Sequence, residues 1–196
     1  LYVLLPRFHD IDYRLENLSN ALIAHPTGRT IEADVQKLLQ EMEKRKPDMR
    51  QDFNERIVNA SPLRIIHNDT KFNNLLLDQD GQPQCVIDLD TVMPGYVAFD
   101  FGDAIRTIIN PVAEDERDIS KIILNLGLYK AYAEGYLEEA NGFLTTLEKE
   151  TIVDGAFLLP YMQGVRFLTD YLAGDHYYKT KYDDHNVGRT NTQLKV

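Results

Sequence analysis

The sequence predicts an α+β domain, mainly helical, with a small β-insert in its first half. Three observations carry that prediction. Apolar residues recur at helical spacing over most of the chain. Residues 63–95 instead show short apolar runs separated by turn residues, and polar residues crowd onto that stretch.

The first helix is expected after Asp10, a suitable N-cap, with Ile11, Leu15, Leu18 and Leu22 along one face. His25-Pro26-Thr27-Gly28 ends it. A second helix carries Ile31, Val35, Leu38, Leu39 and Met42 on one face, with Glu32 and Asp34 in its first turn, where the macrodipole favours them. The charged run from Glu41 to Arg50 reads as its solvated end, with a turn at Pro47. Asn59-Ala60-Ser61-Pro62 marks a boundary, so residues 1–60 form an N-terminal helical part. From Leu63 the texture changes. Leu63–His67 reads as a strand, Leu75–Leu77 as another, and Cys85-Val86-Ile87 returns as a hairpin partner across the turn Asp80-Gly81-Gln82-Pro83. Residues 99–196 are read as helical again. One stripe runs through Ile119, Ile122, Leu126, Tyr129, Ala133 and Leu137; another, through Ile152, Ala156, Leu159 and Gln163, is disturbed at Pro160.

The bulk properties exclude several classes. With 196 residues and 43% hydrophobic content, the chain can bury one substantial core. A formal net charge of −10 argues against nucleic acid and anionic membranes, which call for an excess of Lys and Arg. The single cysteine, Cys85, rules out an intrachain disulfide and fits a reducing, cytoplasmic setting. No secretory leader and no apolar run of ~18 residues is visible. Leu1-Tyr2-Val3-Leu4-Leu5 opens in the middle of an apolar run, as expected of a fragment.

The chemistry concentrates in His67-Asn68-Asp69-Thr70-Lys71-Phe72-Asn73-Asn74, a His-x-Asp followed by Asn five positions after the Asp. Phosphoryl transfer to an alcohol needs a carboxylate to orient the hydroxyl and accept its proton, with hard oxygen ligands for Mg²⁺ beside it. Asp69 suits the first task and Asn74 the second. The hairpin returns Ile87-Asp88-Leu89-Asp90 towards the loop, bringing Asp88 19 positions after Asp69. Each residue alone has a plainer reading as a turn, a cap or a packed imidazole. The ordered conjunction of strand, loop, hairpin and second carboxylate favours a kinase.

These segments resemble the aminoglycoside phosphotransferase/choline kinase superfamily, whose motif is His-Gly-Asp-x-x-x-x-Asn followed by Ile-Asp-x-(Asp/Glu). More narrowly, His67–Asn74, Val86–Gly95 and Asp100-Phe-Gly-Asp-Ala-Ile-Arg106 resemble the N-acetylhexosamine 1-kinase branch, which makes sugar 1-phosphates. The resemblance implies a protein-kinase-like C-terminal lobe over residues 1–196, with residues 63–95 as the catalytic and metal-binding insert. It implies Asp69 as catalytic base, Asn74 and Asp88 as Mg²⁺ ligands with Asp90 close by, and ATP as co-substrate. Asn68 stands where the broad superfamily has Gly. Asp100-Phe101-Gly102 spells the protein-kinase metal motif, but Asp100 follows Asp69 by 31 positions, too late for that role. Asp100 and Asp103, with His67, are therefore expected to support the loop or cap the next helix.

Gln163–Leu172 and Gly174-Asp175-His176-Tyr177-Tyr178 also resemble the hexosamine kinases, which place an Arg and a Tyr from this region around the sugar. Arg166 and Tyr177 are the resulting candidates: a planar donor fork and an amphipathic ring. Asn68 and Thr70 could hydrogen-bond sugar hydroxyls, and Lys71 could neutralise the transferred phosphate. No two glycines lie closer than seven positions, so the chain has no Gly-rich nucleotide loop. In a kinase fold that loop belongs to an N-terminal lobe, expected upstream and acting as this chain's partner. The competing expectations are an aminoglycoside- or choline-type kinase of the same fold and a non-catalytic, kinase-like scaffold. Sulfatase chemistry lacks support, because neither Cys85 nor Ser61 sits in a Cys/Ser-x-Pro-x-Arg setting.

Overall fold

The computed structural model describes residues 3–24, 26–59 and 61–196. His25 and Ala60, on which the helix break and the boundary partly rest, lie outside the described residues, as do Leu1 and Tyr2. The architecture is mainly helical with two small antiparallel ribbons. No helix among the described residues is long and apolar enough to cross a membrane.

Helix α1 (Ile11–Ala24) starts where Asp10 accepts the backbone N–H of Tyr13 at 3.0 Å, the expected N-cap. Helix α2 (Ala33–Gln51) corrects one expectation: it runs through Pro47 and continues into a π-helical turn at Asp52–Val58. Pro47 is exposed, so the carbonyl it leaves unpaired one turn earlier can be met by water.

Strand β1 (Arg64–Ile66) pairs antiparallel with β4 (Met93–Gly95), Ile65 opposite Pro94, and β2 (Leu75–Leu77) pairs with β3 (Pro83–Val86). The insert is therefore two ribbons, and β4 is an addition to the expected hairpin. Its three residues, two of them Pro94 and Gly95, carry no strand periodicity. Asp78 closes the β2–β3 turn by accepting the N–H groups of Asp80 and Gln82 on one oxygen, while Gly81 takes φ +77°.

Helix α3 (Val97–Ile108) follows β4 directly. Helix α4 (Leu126–Ala140) starts later than the stripe from Ile119 suggests. Asn125 caps it by accepting the Leu128 N–H at 3.1 Å, and Ile119–Lys121 forms a separate 3-10 turn. The long α5 (Thr146–Ala173) begins with a reciprocal capping box between Thr145 and Glu148 and continues through Pro160. Pro160 is buried with Leu158, Leu159, Tyr161 and Met162 around it, so burial on several sides outweighs one lost helical hydrogen bond. Helix α6 (His185–Lys195) packs against α5 and buries His185, Asn186, Thr190, Thr192 and Gln193.

One apolar core runs from Ile11 to Leu194, drawing on α1, α2, α3, α5 and α6. Its tightest point is the crossing of α3 and α5. A Cβ on Gly102 would strike the backbone of Gly155, and a Cβ on Gly155 would strike the backbone of Ala98. Only hydrogen side chains allow this approach.

Candidate active site

A cleft of ≈ 870 Å³ opens beside the two ribbons. It gathers Asn68, Asp69, Lys71, Asp88 and Asp90 from the insert, Asp103 and Arg106 from α3, and Arg166 and Tyr177 from the last part of the chain. Residues about a hundred positions apart thus share one surface.

The loop after β1 is held by α3. Asp100 accepts the His67 N–H on Oδ2 at 2.8 Å and the Asn68 N–H on Oδ1 at 2.7 Å, and its carbonyl accepts the Thr70 hydroxyl at 2.5 Å. Burial raises the Asp100 carboxyl to about 6, against the lowering effect of those two backbone donors. Asp100 lies within the first turn of α3, not at its cap, and braces the loop. His67 ties the loop to the hairpin: Nδ1 accepts the Asp69 N–H at 3.2 Å, and Nε2–H donates to the Ile87 carbonyl at 2.9 Å. The Thr91 hydroxyl donates to the His67 carbonyl at 2.7 Å.

Asn68 adopts φ +65°, the left-handed region that Asn tolerates better than most residues. This gives a physical reason for Asn where the superfamily has Gly. Its amide nitrogen faces the carbonyls of Thr91 at 3.2 Å and of Ile66 and Met93 at 3.4 Å. Its own carbonyl accepts the Nε2–H of buried His9 at 3.1 Å. Burial first, then the charge of Arg166, pushes the His9 imidazole down to about 3, so that ring is neutral.

Asp69 has its Oδ2 engaged by Lys71 Nζ at 2.6 Å and by Asn74 Nδ2 at 3.1 Å, while its Oδ1 has no partner among the described residues. Asn74 is buried and donates also to the Asp69 carbonyl at 2.8 Å. The Lys71 ammonium lies 3.9 Å from Asp88 Oδ2, so one cation is drawn by both carboxylates. Asp88 takes φ +66° at the entrance to the Leu89–Thr91 turn, which carries the exposed Asp90. No group of three or more His, Cys, Asp or Glu side chains among the described residues is disposed to hold a metal. Two carboxylates, an amide and substrate phosphates are the usual surroundings of Mg²⁺, so the donor set fits that ion.

Arg166 packs its guanidinium 5.1 Å from the Phe8 ring, 5.8 Å from Tyr178 and 5.9 Å from Tyr177. Tyr177 is 72% exposed, and its loop is held by Asp170, which accepts the N–H groups of His176, Tyr177 and Tyr178 at 2.8–3.0 Å. Asp170 is a positioning residue with no signal of its own in the sequence.

Two candidates differ from expectation. The Thr70 hydroxyl is spent on Asp100 and does not line the cleft; the Asn68 amide lines it but is spent on loop carbonyls. Thr70 thereby ties the loop to α3, and Asn68 ties it to β1, β4 and the Leu89–Thr91 turn. Asp103 is bound to Arg106, with the distance from Asp103 Oδ1 to Arg106 Nη2 being 2.7 Å, both side chains buried.

A model of the phosphotransferase enzyme family (APH) matches residues 4–143, and the chain belongs to that family. The matched stretch contains Asp69, Asn74, Asp88 and Asp100; Arg166 and Tyr177 lie beyond it.

Proposed function

We propose that this chain is the catalytic lobe of an ATP- and Mg²⁺-dependent kinase that phosphorylates a sugar hydroxyl, the anomeric hydroxyl of an N-acetylhexosamine. The observation that carries the reading is Asp69, facing the cleft with one carboxylate oxygen held by Lys71 and Asn74 and the other free for a substrate hydroxyl. The choice of sugar rests on the likeness of residues 67–74, 86–95 and 163–178 to the hexosamine kinases.

In this reading Asp69 orients the acceptor hydroxyl through Oδ1 and takes its proton as the oxygen attacks the terminal phosphorus of ATP, whose bond to the bridging oxygen breaks to release ADP. Lys71 and Asn74 keep the carboxylate in one rotamer, and Lys71 offsets negative charge developing on the transferred group. Asn74, Asp88 and Asp90 are the residues that would hold Mg²⁺, which supplies charge neutralisation on the nucleotide phosphates. Arg166 and Tyr177 receive the sugar, the ring against its apolar face and the guanidinium towards its oxygens. A separate N-terminal lobe is proposed to cover the nucleotide. In support, the insert leaves Phe72, Leu76, Leu77, Val86 and Leu89 exposed.

The test uses the intact protein with Mg²⁺ and ATP against N-acetylglucosamine, N-acetylgalactosamine, galactose, choline and kanamycin. Sugar-dependent ADP release is expected, falling by at least ~10²-fold in Asp69→Asn. Release only with choline or kanamycin would keep a kinase and sink the sugar reading. No release with any acceptor from folded protein would leave a scaffold.

A further inference from the structure

The segment that carries Tyr177 turns out of the end of α5 and is held from behind by two other parts of the chain. Asp170 accepts the N–H groups of His176 and Tyr177 on Oδ1, at 3.0 and 2.8 Å, and that of Tyr178 on Oδ2 at 3.0 Å. The Asn186 amide of α6, fully buried, donates to Asp170 Oδ2 at 3.0 Å and to Asp175 Oδ1 at 2.8 Å. Arg29, in the connection between α1 and α2, donates from Nη1 to Asp175 Oδ2 at 2.7 Å and to the Tyr171 carbonyl at 2.8 Å. Its guanidinium also stands 4.7 Å from the Tyr171 ring.

Each link in this relay has a fixed sense. Arg189 Nη1 donates to Asn186 Oδ1 at 3.1 Å, so turning the amide would set its oxygen against two carboxylates and its nitrogen against a guanidinium. Asp175 has a left-handed backbone, φ +58°, and a side chain only 8% exposed. An unpaired carboxylate there would add the cost of burial to the strain of that conformation. Among the described residues Arg29 is the cation that offsets it.

What the relay holds is one edge of the cleft. Tyr177 lines the cleft beside Tyr178, ring centroids 4.8 Å apart; the Tyr178 ring meets Phe167 at 4.6 Å, and its hydroxyl accepts from Gln163 at 3.1 Å. With most of its surface in solvent, the Tyr177 ring takes its place from the backbone beneath it. Arg29 itself is not among the residues that line the cleft.

We propose that Arg29 is a positioning residue for the acceptor: through Asp175, Asn186 and Asp170 it sets the loop that presents Tyr177. This rests on the reading of Tyr177 as a sugar contact and adds to it a residue outside the cleft. Holding the loop beforehand removes an ordering cost from binding and leaves phosphoryl transfer at Asp69 untouched. Its signature therefore lies in acceptor affinity and not in turnover.

The experiment follows ADP release by the intact protein with N-acetylglucosamine and N-acetylgalactosamine. Wild type is compared with Arg29→Met, Arg29→Lys, Tyr177→Ala and the double variant Arg29→Met/Tyr177→Ala, with hydrogen exchange of the 176–178 amides measured in each. The Arg29 side chain is 30% exposed, so its truncation leaves the core intact. Arg29→Met is expected to raise the KM for the sugar roughly fivefold, about the worth of one net hydrogen bond. Turnover and the KM for ATP should stay unchanged, and exchange at 176–178 should quicken. Arg29→Lys, which keeps the charge, should recover part of the loss. In the Tyr177→Ala background Arg29→Met should add nothing, because the ring it positions is gone. The same KM penalty with and without Tyr177 would overturn the proposal and leave the sugar-kinase reading standing. So would an Arg29→Met protein with the wild-type KM, or with unchanged exchange at 176–178. Absence of sugar-dependent ADP release from wild type would take the sugar reading and the role of Arg29 together.

Discussion

Asp100 shows how much can hang on one carboxylate. Ionised, it offers an acceptor to each of two successive N–H groups of the loop; protonated, one of its oxygens becomes a donor facing an amide hydrogen. Its carboxyl is raised to about 6 by burial, so the protonated form gains ground as pH falls through 6. The turnover number is expected to show an acid limb near that pH. Asp100→Asn, which keeps one acceptor and replaces the other with a donor, should lower turnover by roughly tenfold at neutral pH, the equivalent of one lost hydrogen bond. It should also flatten the limb. A limb unchanged in Asp100→Asn would assign it to another group. The sequence pointed to Asp100 as a support through its late position after Asp69, and in the structure its carboxylate accepts two N–H groups of the loop. It could not show that the Thr70 hydroxyl is spent on the Asp100 carbonyl of α3 and the Asn68 amide on the carbonyls of Ile66, Thr91 and Met93, because such partners come from elements that only the fold brings together.

Among the elements, the junction of β1 and α5 is the most informative. Arg64 of β1 reaches Glu148 in the first turn of α5, Nη2 to Oε2 at 2.8 Å, and Glu148 also accepts the Thr145 N–H at 2.8 Å. The Arg64 hydrogen bond, followed by the Thr145 donors against opposing burial, holds the Glu148 carboxyl down to about 2. A depressed carboxyl contributes stability that is full above its unfolded value near 4.5 and lost as pH falls towards 2. Arg64→Met should therefore lose about 1.5–3 kcal/mol at neutral pH in urea unfolding and less at pH 3. Equal losses at both pH values would show that the pair acts through packing alone. The same elements mark the limits of periodicity. Asp10, the β2–β3 hairpin and the helix faces of α1 and α2 were legible because capping and apolar spacing are local. Pro47 and Pro160 misled because tolerance of proline depends on its surroundings, solvent at Pro47 and a packed core at Pro160. Helix α6 escaped notice because it buries His185, Asn186, Thr190 and Gln193, residues whose type announces a surface.

At the scale of the molecule, α3 carries the brace of the loop after β1 and α5 carries Arg166. Gly102 and Gly155 bring those two helices backbone to backbone. Gly155→Ala should cost at least the ~1–3 kcal/mol of an overpacked core, read as a lowered urea midpoint, because backbone cannot step aside as a flexible side chain can. A midpoint within error of wild type would mean that the helices have room to part. Where the two backbones touch, little slack remains to take up an acceptor of the wrong breadth. In the proposed kinase, Asp69 and Arg166 would stand as the jaws of a caliper whose setting is made where α3 crosses α5. Acceptors would be sorted by aperture before any chemistry begins, and the way to widen the enzyme's diet would be to alter the glycines at the crossing and leave the jaws alone.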